Sequence, residues 1–219
     1  MNFIIFDLDD TLLCGDCERE WINFLFSKGL LKDPEAILNK FDLEYRKGVM
    51  NFVEYSRFIQ KPIKGLSKEK VNIFIDEFIQ KKIENLTDSL TKELLDEAKS
   101  ANKVLIASGS HDFLVKRIAN FFGINSSIGT PVEIKDDIFS GELSGEPTFA
   151  QGKVRAVEKW CSQNNQKSRK VDSKSSPTFE ILLPKPRQKV EKVESRSMVF
   201  NRDSTFFHCF GSTVCLSGL

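Results

Sequence analysis

The opening of this chain constrains its fold more than any other feature. Four apolar residues, Phe3-Ile4-Ile5-Phe6, run directly into Asp7-Leu8-Asp9-Asp10-Thr11. Two aromatic and two β-branched residues bounded by acids read as a short buried strand. In an open α/β sheet, residues just past a strand's C-terminal end line the ligand crevice. The acidic turn therefore lies where such a fold does its chemistry.

The rest of the pattern fits that frame. From Glu18 to about Gln80 the apolar spacing is helical: Trp21, Phe24 and Leu25 share one face, and Val71, Phe74 and Phe78 another. Pro34, Pro62 and Gly65 punctuate the run. Further on, the pattern predicts helices over 91–100, 112–122 and 153–160 and a buried strand over 104–107. Residues 132–134 and 138–143 alternate around Lys135-Asp136-Asp137, as in a hairpin. The order predicts an α/β fold, a Rossmann-like parallel-sheet core with a helical cap inserted after the first strand. The core is expected over 1–13 and 83–162, the cap over 14–82. Residues 163–219 change character: 163–176 are almost wholly polar, three prolines follow, and no confident element is predicted.

Composition narrows the function. A net charge of +1 gives no electrostatic footprint for nucleic acid or a membrane surface. No apolar run is long enough to span a bilayer, and the apolar start lacks the basic flank of a signal peptide. A cytoplasmic location is expected. Five cysteines, an odd number without framework spacing, fit reduced thiols. Cys14 and Cys17 form a CxxC that reads as coincidence, since no second pair or histidine lies nearby.

Two carboxylates at Asp7 and Asp9 can divide labour. One attacks phosphorus and binds a metal; the other protonates the leaving oxygen and then activates water. A carboxylate approaching a phosphate dianion meets strong repulsion, and Mg²⁺, a hard cation that prefers oxygen ligands, relieves it. Read blandly, the same residues are an acidic turn after a strand.

FDLDDTLL resembles the first motif of the haloacid dehalogenase superfamily, and other parts match in order. Leu105-Ile106-Ala107-Ser108-Gly109-Ser110 is similar to the second motif, and Lys153 in Phe149-Ala150-Gln151-Gly152-Lys153 to the motif-three lysine. The helical run directly after the first motif looks like the cap of the phosphoserine phosphatase-like subfamily, often labelled HAD-IB. Gly15-Asp16 followed by Trp21, and Gly141-Glu142-Leu143-Ser144-Gly145, strengthen that match. The resemblance implies a Mg²⁺-dependent phosphomonoesterase acting on a small phosphorylated metabolite. Asp7 would form an aspartyl-phosphate. Asp9 would be the general acid and base, with its carbonyl on the metal. Ser108 and the Gly109 amide would hold phosphoryl oxygens, with Ser110 beside them, and Lys153 would neutralise the transferring group. Asp16 and Glu18 would contact the substrate's polar group, or else simply start a helix. His111 reads as a surface residue.

The family also needs a fourth motif, an apolar strand ending in a metal-binding carboxylate. Asp172 stands nearest, but the residues before it are polar and Ser176 occupies the paired position. Three readings stay open: an active phosphomonoesterase, a phosphate-binding relative without turnover, and a product whose C-terminal part comes from a shifted reading frame. The polar stretch also predicts a sheet that ends early, with an exposed apolar edge.

Overall fold

A computed structural model describes residues 3–101, 103–168, 179–182 and 198–199. Strand β1, Phe3–Phe6, is followed by a wide helical turn over Leu8–Leu12 and then by α1, Cys17–Ser27; α2, Glu35–Arg46; α3, Phe52–Gln60; and α4, Lys68–Phe78. Helix α5, Ser89–Ala101, leads into β2, Lys103–His111, and α6, Asp112–Phe121. Strands β3, Ser127–Thr130, β4, Val132–Lys135, and β5, Ile138–Leu143, precede α7, Gln151–Ser168. Strands β6, Phe179–Leu182, and β7, Met198–Val199, complete the described elements.

The main sheet has the order β3-β2-β1-β6-β7, with β1 central and parallel to both β2 and β6. Its faces are set by strand alternation. Ile4, Phe6, Val104 and Ile106 join one core cluster with Leu95 and Ala98 of α5 and Leu114 and Ile118 of α6. Ile5, Leu105 and Ala107 pack on Val157 and Trp160 of α7. Burial on both faces explains why β1 and the start of β2 read as unbroken apolar runs.

The first cluster continues without a break into the helical insert, through Trp21, Phe24, Ile59, Ile75 and Phe78. Trp21 is fully buried against the rings of Phe24, Phe78 and Phe113. The insert is tied to the core twice more. Cys14 N–H donates to Leu86 O at 2.7 Å where the chain leaves and returns. The β4–β5 hairpin backbone bonds to the insert through Gly65 N–H to Phe139 O (2.8 Å) and Phe139 N–H to Leu66 O (3.0 Å). Asp136 and Asp137 turn this hairpin with φ of 49° and 60°, the left-handed pair that a tight two-residue turn requires.

Three expectations need correction. β3 lacks an apolar run and has no counterpart in the sequence reading; it forms because β2 offers it a parallel edge. Helix α7 continues to Ser168 through a polar stretch, since Gln and Lys are good helix formers and need no buried face. The β1 edge is not left open: β6 pairs with it from Phe3↔Phe179 to Phe6↔Leu182. That strand has only four residues, set between Pro177 and Pro184, so no apolar period marked it.

Replacing Trp21 with Ala should remove about 3–5 kcal/mol of stability, the usual range for a large buried aromatic. Urea denaturation reads this directly. A loss below about 1 kcal/mol would mean that Trp21 does not anchor the shared core.

Candidate active site

The crevice lies past the C-terminal ends of β1 and β2. Asp7 follows β1 directly. Its Oδ1 accepts from the Leu8 amide at 2.8 Å, and Oδ2 meets Lys153 Nζ at 2.9 Å. Asp10 takes a left-handed φ of 54°, and its N–H donates to Gly15 O at 3.1 Å. This tight turn brings Asp9 back beside Asp7. Asp9 Oδ1 accepts from the Cys17 amide at 2.8 Å; Oδ2 accepts from Ser108 Oγ at 3.1 Å and Ser110 Oγ at 2.7 Å.

The residue Asp9 is half-buried, but its carboxyl is enclosed by these three donors. Burial raises its pKa, and the nearby Asp7 charge adds to the rise, against the opposing Cys17 and Ser110 bonds. A buried carboxyl with a raised pKa is suited to hold and deliver a proton.

Lys153 is buried and reaches Asp7 from the second residue after the start of α7. The approach is a strained loop. Ala150 has φ 48°, and a Cβ on Gly152 would lie 1.9 Å from Pro147 O. Only glycine fits there, and the closeness of that turn fixes where Lys153 begins. Gly109 is fixed from the other side: Thr130 Oγ1 donates to its carbonyl at 2.7 Å, and Thr130 in turn accepts from the Thr148 amide at 3.0 Å. Thr130 and Thr148 are both buried. Sequence reading missed both, for lone threonines near strand ends carry no spacing signal.

Asp7, Asp9, Ser108, Gly109, Ser110 and Lys153 are thus gathered in one crevice. Asp16 is exposed and caps α1, its Oδ1 accepting from the Glu18 and Arg19 amides at 2.8 and 2.9 Å. Desolvation, then repulsion from Asp9 and Glu18, push its carboxyl up to about 8. Glu18 departs from expectation. It is buried, with Oε1 on the His111 backbone N–H at 2.7 Å and on the His111 ring, and Oε2 on Tyr55 Oη at 2.8 Å. Burial opposes its charge, yet His111 and Tyr55 outweigh it and hold the carboxyl below its usual range. A carboxylate spent in this way is not offered to a substrate. His111 is likewise no surface residue: it is fully buried.

Asp7 and the Asp9 carbonyl have the hard oxygen chemistry that Mg²⁺ prefers. Among the described residues, no group of three or more His, Cys, Asp or Glu gathers as a metal site. Asp172, the expected third ligand, lies outside the described residues. Among the described residues, Cys17 and Cys161 are buried, free thiols. Among the described residues, no helix is long and apolar enough to cross a membrane.

Comparison with known proteins agrees with this geometry. The chain is 28% identical over 169 residues to the histidinol-phosphatase of Neisseria meningitidis serogroup C (strain 8013), covering 75% of this chain and 76% of that protein. It is 29% identical over 158 residues to the phosphoserine phosphatase of Archaeoglobus fulgidus, covering 72% of this chain but only 42% of that protein. A Bordetella pertussis Tohama I protein of unknown function shares the fold with a TM-score of 0.68 at 24% identity, over 74% of each chain. The family model for haloacid dehalogenase-like hydrolases matches residues 4–172. On that match, and with the acidic turn, the serine-bearing strand end and the buried lysine converging on one crevice, the chain belongs to the haloacid dehalogenase-like hydrolases.

Proposed function

We propose that this chain is a phosphomonoester hydrolase working through an aspartyl-phosphate on Asp7. The observation that carries the reading is the 2.9 Å contact of Lys153 with Asp7, beside an Asp9 carboxyl gripped by Ser108 and Ser110. Asp7 Oδ attacks phosphorus, and the bond from phosphorus to the substrate oxygen breaks. Asp9 gives its proton to the leaving alkoxide. Asp9 then takes a proton from water, which cleaves the acyl-phosphate and returns Asp7 and inorganic phosphate. Lys153 and the Gly109 amide balance charge on the transferring group. Mg²⁺ on Asp7 and the Asp9 carbonyl would lower the repulsion between nucleophile and phosphate.

The substrate in this reading is a small phosphorylated metabolite. The exposed Asp16 carboxyl, at the start of α1, is placed to hydrogen-bond a polar group on it. The Phe149 ring would lie 3.8 Å from a Cβ on Gly109 and stacks on Phe52 at 5.2 Å, which lines the rim with apolar surface. Relatives named histidinol-phosphatase and phosphoserine phosphatase are in keeping with this class. Free thiols fit a reducing, cytoplasmic setting.

A second reading, impaired turnover, is favoured by one observation. Leu182 of β6 pairs with Phe6, and the residues that follow in sequence are Leu183 and Pro184, with no carboxylate. A complete metal site in this family needs an acid from a strand beyond Lys153.

Asp7→Asn should abolish hydrolysis of a phosphomonoester, because an amide cannot form the acyl-phosphate. Asp9→Asn should slow it by about 10²–10⁴-fold. Full activity in Asp7→Asn would sink the proposal. Activity should also vanish with a chelator and return with Mg²⁺. In calorimetry, Mg²⁺ should bind weakly, and Asp172→Ala should leave that binding unchanged. Tight binding that Asp172→Ala removes would restore a complete site and refute the impaired reading.

A further inference from the structure

A buried polar chain lies behind the crevice and is unused by the reaction described above. Gln60 Nε2 donates to Ser56 Oγ at 3.0 Å, and Ser56 Oγ meets His111 Nε2 at 2.6 Å. The His111 ring then meets Glu18, which also takes the His111 backbone N–H and the Tyr55 hydroxyl. Glu18, Ser56, Gln60 and His111 are all at most 2% exposed. The three elements involved come from two parts of the fold. Glu18 is on α1, while Tyr55, Ser56 and Gln60 are on α3, both in the insert. His111 ends β2 in the core, one residue past Ser110.

That position matters. Ser110 N–H donates to Ser108 Oγ at 3.0 Å, and both hydroxyls then grip Asp9 Oδ2. The strand end from Ser108 to His111 is thus a short curl held at one end by Asp9 and at the other by Glu18. In a buried setting each of these bonds is expensive to leave unmade. Releasing Glu18 frees the His111 backbone and with it the peptide that aims Ser110.

Resting on the phosphatase reading, we propose that Glu18 and His111 are positioning residues that make docking of α3 and alignment of Asp9 a single event. Glu18 does not touch the substrate. It fixes the β2 end so that Ser108 and Ser110 hold the Asp9 carboxyl, and it does so only while Tyr55 and Ser56 complete the chain from the insert side. A substrate that favours the docked insert thereby also favours the aligned acid.

The test is a double-mutant cycle on the full chain. Glu18→Gln and Ser110→Ala should each lower kcat about tenfold, one lost aligned bond, with KM changed much less. The double variant should be no slower than Ser110→Ala alone, because both act through the same bond to Asp9. A merely structural role predicts multiplied losses, and that result, or wild-type kcat in a folded Glu18→Gln, overturns the inference. Hydrogen exchange supplies a readout independent of turnover. Glu18→Gln should speed exchange of the Ser110 and His111 amides together with those of α3, and unchanged protection at the β2 end would also overturn it. Ser56→Ala, a milder change, should show the same paired loss of protection should Glu18→Gln fail to fold. If the wild type shows no Asp7-dependent hydrolysis while the paired exchange is seen, the phosphatase reading fails and the coupling of insert to β2 stands.

Discussion

Two acidic side chains are forced into one crevice, and the repulsion between them is the constraint on which the rest of the site depends. Asp7 and Asp9 emerge two residues apart from a single strand end, in a turn tight enough to need a left-handed Asp10. The fold separates their roles by surrounding them differently. Asp7 receives a lysine at 2.9 Å. Asp9 is shut away from solvent, which favours its proton, against the hydroxyl and amide bonds that favour its charge. Environment, and not residue type, makes the two carboxyls differ.

The elements that supply these environments come from distant parts of the chain, and the packing explains how they meet. β1 and β2 are parallel neighbours, so their C-terminal ends open at the same side of the sheet. α7 crosses the opposite face to the insert, through Val157 and Trp160, and starts close enough for Lys153 to reach back. The insert shares one apolar core with the sheet, bonds to the hairpin backbone and meets β2 through the Glu18–His111 pair. It therefore braces the strand end that carries Ser108 and Ser110.

Much of this was legible in the sequence because the decisive residues sit in patterned places. Phe3-Ile4-Ile5-Phe6 announced a buried central strand, and Asp7 and Asp9 stood where such a strand ends. The helical periods around Trp21 and Phe78 marked the insert. The Asp136-Asp137 turn marked the hairpin. What stayed hidden had either too short a run or a pairing set by the fold alone. β6 is four residues between prolines, and β3 has no apolar period. Glu18 looked like a helix-start acid in the crevice because nothing in the sequence links it to His111, which lies 93 residues away. Thr130 and Thr148 act through a single hydroxyl whose value depends entirely on what lies opposite.

Asp9 leaves the ribosome well before its hydroxyl partners, which follow 99 and 101 residues behind it. Contacts of that reach close a long loop before they return anything, and they slow folding. The insert helices between them can begin to collapse locally, around Trp21, Phe24 and Phe78. Through that interval β1 has no neighbour on either side, and its β6 partner is made well after β2. A nascent chain with a bare, wholly apolar strand is open to pairing with another copy. The central position that gives β1 a partner on each side in the finished sheet also makes it the segment most open to mispairing while the protein is being synthesised.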